Sequence, residues 1–150
     1  MPASGDWPAW ATEAVSLAGP DEGWASRGAA ERGRLLDLLA PWLVDDVHHV
    51  GSTAVPGLPA KPIVDLMAGV GSWERFFVKV AADRRVAHLH LLDPATPRWA
   101  ERLRFRDRLR ARPGLAAEYA ELKRGLARDH AGDREAYTQG QDRVRATGAR

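Results

Sequence analysis

Residues 62–70, PIVDLMAGV, constrain this chain more than any other segment. They are apolar at almost every position, and an unbroken apolar run of strand length reads as a central strand covered on both faces. A central strand needs partners. Residues 44–50 read as a strand running into Gly51, residues 86–92 (VAHLHLL) as another, and Val15 and Leu17 as the start of a short one. The helices lie mostly later in the chain. Residues 24–40 carry Leu35, Leu36, Leu38 and Leu39 and end or kink at Pro41. Thr96-Pro97 opens a helix over 97–112, with Thr as N-cap and Pro in the first turn, and Pro113-Gly114 stops it. In a helix over 115–130, Leu115, Tyr119, Leu122 and Leu126 form one stripe.

Residues 71–83 fit neither period, although Trp73, Phe76, Phe77 and Val78 are available for a core. Residues 1–14 read as a loose lead-in. The polar chain from 133 onward reads as a short helix, fraying over 138–150. The expectation is a single α/β (α+β) domain over 1–150. It has a mixed sheet flanked by helices and a helical C-terminal third.

Composition removes several classes of function. The chain has no cysteine, which excludes disulfides and thiolate metal sites. No apolar run approaches the ~18 residues of a membrane span. The opening MPASGDWPAW lacks the basic-then-apolar order of a signal peptide. A cytoplasmic protein with no membrane partner is expected. Charge is unevenly placed: residues 1–97 carry a net −4 and residues 98–150 a net +6. A basic C-terminal third suits an anionic partner and equally suits a solvated Arg-rich helical surface.

The residues able to do chemistry cluster around the central run. Gly51-Ser52 directly after a strand allows a sharp turn whose N–H groups and hydroxyl can cradle a phosphate. Asp65 interrupts the apolar run, and an isolated buried carboxylate costs several kcal/mol. It therefore faces a cleft, a cation or a basic partner such as Lys61. His88 and His90 stand two apart on a strand, so both imidazoles share a face. With Asp65 they could hold a transition metal, bind phosphate, act as acid and base, or form a hydrogen-bonded structural pair. On the 97–112 helix, the stripe from Trp99 and Leu103 continues through Arg106 and Arg110, and an inward Arg needs an anion such as a phosphate, Asp65 or Asp107. Arg104, Arg108 and Arg112 lie elsewhere, and Lys123 borders the stripe of the next helix as a weaker basic candidate.

Twelve residues separate Ser52 from Asp65. A strand, Gly-Ser, a dozen residues and a strand-borne Asp resemble nucleotidyltransferases of the DNA polymerase beta type. In those enzymes the Gly-Ser holds the triphosphate and strand carboxylates hold Mg²⁺. A second carboxylate normally follows two positions on; here that residue is Met67, and a thioether is no ligand for Mg²⁺. The run HVGSTAVPGLPAKPIVD, His49 to Asp65, closely resembles the GrpB family, small bacterial proteins of the nucleotidyltransferase-like superfamily. Asp21 and Trp24, His88 to His90, Phe105 to Arg110, Pro113, Tyr119 and Leu122-Lys123 extend the resemblance over about 15–137. Relatives have a longer segment between the Asp65 and His-x-His strands, so this chain is shortened after Val70. They also often have Lys where this chain has Gln141.

The resemblance implies a nucleotidyltransferase-like fold and family-typical positions at His49, Gly51, Ser52, Lys61, Asp65, His88, His90, Arg106 and Asp107. From it and the residues together, the expected function is metal-dependent nucleotidyl or phosphoryl transfer on a nucleotide or phosphorylated small molecule. Asp65, His90 and Arg106 would be catalytic. His49, Gly51, Ser52, Lys61 and Arg110 would bind phosphate. Asp65, His88 and His90 would hold a divalent cation, Mg²⁺, Mn²⁺ or a transition metal favouring His. Met67 and the shortened middle keep open a non-catalytic nucleotide- or coenzyme-binding module, or a chain that associates with itself or a partner protein. RNA binding through the Arg-rich helices is a third reading, disfavoured by the few free aromatic platforms.

Overall fold

The computed structural model describes residues 7–148. The elements are α1 (Gly23–Leu39), β1 (Val47–Val50), β2 (Val64–Gly69), β3 (Arg75–Ala81), β4 (Arg84–Leu92), α2 (Pro97–Ala111), α3 (Pro113–Asp129) and α4 (Arg134–Gly148). The four strands form one mixed sheet in the order β1-β2-β4-β3. The apolar run is indeed central: β2 pairs antiparallel with β1 on one side and parallel with β4 on the other. β3 lies at the outer edge, antiparallel to β4.

β3 is the segment whose period is unreadable in the sequence, and its position explains why. An edge strand has one neighbour, and here Phe76 and Phe77, on opposite faces, are each about half exposed. No alternation of apolar and polar residues results. The β3–β4 turn is a two-residue hairpin at Ala82-Asp83, both with positive φ (49° and 59°), which matches the twist of paired strands.

One face of the sheet packs Val47, Val64, Leu66, Ala68, Ala87 and Leu91 against Leu35, Leu36 and Leu39 of α1. The other meets α2, where Val50, Met67, Leu92 and Trp99 form a smaller cluster with Leu103. A third cluster joins the 51–63 loop to the C-terminal helices through Val55, Leu58, Phe105, Leu109, Tyr119 and Ala120. Pro113 is the first residue of α3 rather than only the stop of α2, the position where its missing N–H costs nothing. Thr96 has extended N-cap dihedrals, but its hydroxyl donates to the Asp93 carbonyl and not to the helix.

Three expectations are corrected. The short strand at Val15 and Leu17 is only a bridge between Ala18 and Ala60. The α3 stripe buries Tyr119, Ala120 and Lys123 and leaves Leu122 39% exposed. The tail is not frayed over 138–148: α4 runs through it, anchored by the fully buried Tyr137 and by Gln141, whose amide donates to the Tyr137 hydroxyl at 3.2 Å. Residues 1–6 of the lead-in and 149–150 of the tail lie outside the described residues. Among the described residues no helix is long and apolar enough to cross a membrane.

Candidate functional site

The parallel register of β2 and β4 sets Asp65 beside His88 and Met67 beside His90. Side chains alternate along a strand, so Asp65, His88 and His90 emerge together on the α2 side of the sheet. The Asp65 Oδ1 lies 3.2 Å from His88 Nδ1 and 3.6 Å from His90 Nε2. Burial alone would raise the Asp65 carboxyl, but the hydrogen bonds and charge of His88 and His90 reverse this and hold it far below the usual carboxylate range. Burial lowers His90 despite the adjacent carboxylate. Phe76, reaching across from β3, lays its ring 5.0 Å from His88 and 4.9 Å from His90.

Gly51 closes over this carboxylate. Its φ is +74°, and a Cβ there would lie 2.8 Å from Asp65 Oδ2, so glycine is required on both counts. The turn it makes presents Ser52. The Lys123 ammonium nitrogen on α3 donates to Ser52 Oγ at 2.6 Å and to the Pro59 carbonyl at 2.9 Å. Lys123 is 1% exposed and neither of these partners is a carboxylate. Burial, with repulsion from Lys61, brings its pKa down to about 7.

These groups line a cleft of about 270 Å³ between the sheet and the C-terminal helices. Its positive charge comes from four elements and the loop before β2. Lys61 stands before β2, its Nζ 5.0 Å from the Tyr137 ring centre, and its pKa is lowered by burial. Arg85 is on β4, Arg102 and Arg106 on α2, Lys123 on α3, and Arg134 and Arg145 on α4. Against these seven cations the cleft has two carboxylates, Asp65 and Asp142. Arg106 is tethered at the wall, with Nη1 donating to the His49 carbonyl at 3.2 Å and Nε to Asp107 at 2.8 Å. The Arg102 Nε and the Arg134 Nε and Nη1 are buried with no hydrogen-bond partner. Burial and repulsion from Arg145 lower the Arg102 guanidinium to about 10.

The structure thus brings together Gly51, Ser52, Lys61, Asp65, His88, His90 and Arg106, and leaves two expected residues out. His49 is one step out of phase with Val50, so its ring turns to the α1 side. There it fits over Gly28, where a Cβ would lie 2.3 Å from His49 Nδ1, and its Nε2 is 2.8 Å from Thr53 Oγ1. Burial lowers it to about 4. Only its backbone carbonyl serves the cleft. Arg110 is exposed, a turn beyond Arg106, and donates to the Ala54 carbonyl at 2.8 Å.

Sequence reasoning gave Lys123 too little weight and missed Arg102, Arg134, Arg145 and Phe76. Arg102 stands one turn before Arg106, a spacing that could have revealed it. Arg134, Thr138, Gln141 and Arg145 line the cleft at i, i+4, i+7 and i+11, a polar stripe to which a search for apolar periods is blind.

Asp65, His88 and His90, the set expected to hold a divalent cation, are paired with one another in this structure. His88 Nδ1 and His90 Nε2 both face the carboxylate, 3.2 and 3.6 Å from Asp65 Oδ1. The position of a second strand carboxylate is Met67, fully buried. Among the described residues no three His, Cys, Asp or Glu side chains are disposed to hold a metal ion.

Comparison with known proteins places this arrangement. The family pattern described as "GrpB protein" matches residues 14–75 and 71–147, two pieces that meet where the sequence is shortened. The chain is 39% identical to "UPF0157 protein PA4798" of Pseudomonas aeruginosa over 83% of its own length and 62% of that protein's. It is 33% identical to "UPF0157 protein YqkA" of Bacillus subtilis over 81% of its own length and 42% of that protein's, so it spans only part of these two relatives. It is 34% identical to "UPF0157 protein SCO7215" of Streptomyces coelicolor, over 75% and 70% of the two lengths. The crystal structure of conserved protein GrpB from Enterococcus faecalis superposes with a TM-score of 0.76 at 24% identity, covering 89% of this chain and 97% of that one.

Proposed function

The chain belongs to the GrpB family, and we propose that its cleft binds a nucleotide or another phosphorylated small molecule, with its own cationic side chains, not a bound cation, balancing the phosphate charge. One observation carries this: six cations besides Lys123 face two carboxylates around one hollow, and Arg102 and Arg134 hold buried N–H groups with no partner. An unsatisfied buried donor costs about 1–3 kcal/mol, which a phosphate oxygen would recover through charge-assisted bonds. The cations converge on a pocket instead of tracking along a face, which favours a compact polyanion over RNA.

The expected result is that pyrophosphate and ATP bind in calorimetry with EDTA present, weaken as salt rises, and lose at least about tenfold affinity in Arg102→Met. Absence of binding at low salt, or binding that requires Mg²⁺, would overturn the proposal.

A second observation favours chemistry on the bound molecule. With Asp65 accepting from His88 Nδ1, the lone pair lies on His88 Nε2, which is buried, without a partner and on a residue lining the cleft. Such a pair suits proton transfer during phosphoryl or nucleotidyl transfer, with Arg102 and Arg106 stabilising developing charge. Phosphate or pyrophosphate release from nucleotides that falls at least about a hundredfold in His88→Gln is the outcome expected; unchanged release would remove His88 from the role.

A further inference from the structure

We propose that Ser52 and Lys123 form a nucleophile–base pair that cleaves carboxylic esters bearing an anionic substituent, through an acyl group carried on Ser52. The pair is built by the fold, not by local sequence. Ser52 leaves β1 on the tight Gly51 turn, Lys123 arrives from α3, and their reactive atoms meet at 2.6 Å on the wall of the cleft. Lys123 is 1% exposed, and the two oxygens its nitrogen touches, Ser52 Oγ and the Pro59 carbonyl, are neutral. The Tyr119 ring, 5.6 Å from the nitrogen, and the Asp65 charge favour the ammonium, while burial and repulsion from Lys61 and Arg145 outweigh them, and a neutral amine fits the same geometry. As the amine it would keep one N–H on the Pro59 carbonyl and, with the Ser52 contact reversed, accept the hydroxyl proton, the arrangement in which a lysine serves a serine as base. The depressed pKa of about 7 agrees, since it makes the amine substantially neutral near pH 7.

The steps balance without any further reagent. The Lys123 amine takes the Ser52 hydroxyl proton as Oγ adds to the ester carbon and the carbonyl electron pair moves to oxygen. The oxyanion forms in a cleft rich in guanidinium groups. Its collapse expels the alcohol, which leaves with the proton from Lys123. Water then adds to the acyl carbon with Lys123 again taking the proton, and Ser52 Oγ departs and recovers it. The net reaction is ester plus water to acid plus alcohol. The surplus of cations lining the cleft selects esters with a carboxylate or phosphate.

Intact protein treated with a fluorophosphonate and then digested should carry a single phosphonyl adduct, on Ser52. The labelling rate of the unaltered protein should rise roughly thirtyfold between pH 5.5 and 8.5 as the base loses its proton. Lys123→Met, confirmed folded by its melting curve, should slow labelling at least about a hundredfold. Mono-p-nitrophenyl succinate should be hydrolysed faster than p-nitrophenyl acetate, with the activity lost in Ser52→Ala. No adduct on Ser52 across this pH range, a rate that does not depend on pH, equal use of the two esters, or hydrolysis surviving in Ser52→Ala would each overturn the proposal. The fluorophosphonate is uncharged and the wild-type pH profile needs no variant. A pyrophosphate titration of the same sample reports separately on polyanion binding.

Discussion

The two faces of β2 and β4 share a backbone and almost nothing else. Val64, Leu66, Ala68, Ala87 and Leu91 look toward α1 and form a dry apolar layer. One residue out of step, Asp65, His88 and His90 look toward the C-terminal helices and a cleft crowded with arginine and lysine. The first face needs only area and shape. On the second, Asp65 is matched by two imidazoles and Arg106 by Asp107 and a carbonyl. Arg102 and Arg134 keep donors that are not matched. On the proposed function, stability resides mainly on one face and ligand recognition on the other, and perturbations should separate them.

The largest effect expected is on the dry face. Leu66→Ala should lower unfolding free energy by about 2–5 kcal/mol in urea titrations, while pyrophosphate affinity of the folded protein stays unchanged. A parallel loss of affinity would break the division.

pH should act next, with one sign on both faces. His49 falls from about 6.5 unfolded to about 4 folded, so its contribution is present above pH 6.5 and is lost as pH drops toward 4. The loss is on the order of 2 kcal/mol, and His49→Gln should flatten the urea midpoint over that range. His90 and Asp65, also depressed, act in the same direction. Lys123, about 7 folded against 10.5 unfolded, makes stability rise further from pH 7 toward 10. A wild-type midpoint that is level from pH 4 to 10 would contradict both.

Gly51→Ala forces a Cβ to within 2.8 Å of the Asp65 carboxylate at a positive φ. It should cost about 1–3 kcal/mol and, unlike Leu66→Ala, weaken ligand binding too. The smallest stability effect belongs to Arg102→Met: melting should be unchanged or raised by up to about 1 kcal/mol, because a buried guanidinium with an unmatched donor is removed. The same variant should lose most of its affinity for pyrophosphate. Clear destabilisation would show that Arg102 holds the fold.

The dry face was readable in the sequence because apolar periodicity reports it directly: 62–70 located the central strand and Leu35, Leu36 and Leu39 the helix over it. Asp65, His88 and His90 were readable as exceptions to that pattern, a carboxylate and two imidazoles on strands. Lys123 was readable only as a weaker candidate and the α4 arginines not at all, because a buried cation in an amphipathic helix looks like a solvated one until its partner from a distant segment is known. Phe76 was hidden by the mixed exposure of an edge strand. His49, expected in the cleft by family resemblance, faces the other way because alternation along β1 outranks proximity in sequence.

Arg134, Gln141 and Arg145 reach the cleft from α4, while the sheet and α1, which covers one of its faces, are complete by residue 92. During synthesis on the ribosome the hydrophobic layer can therefore assemble first, with the binding chamber still open on one side. If the cleft binds as proposed, capture waits for α4 to dock, so removing α4 should leave the hydrophobic layer in place and abolish pyrophosphate binding.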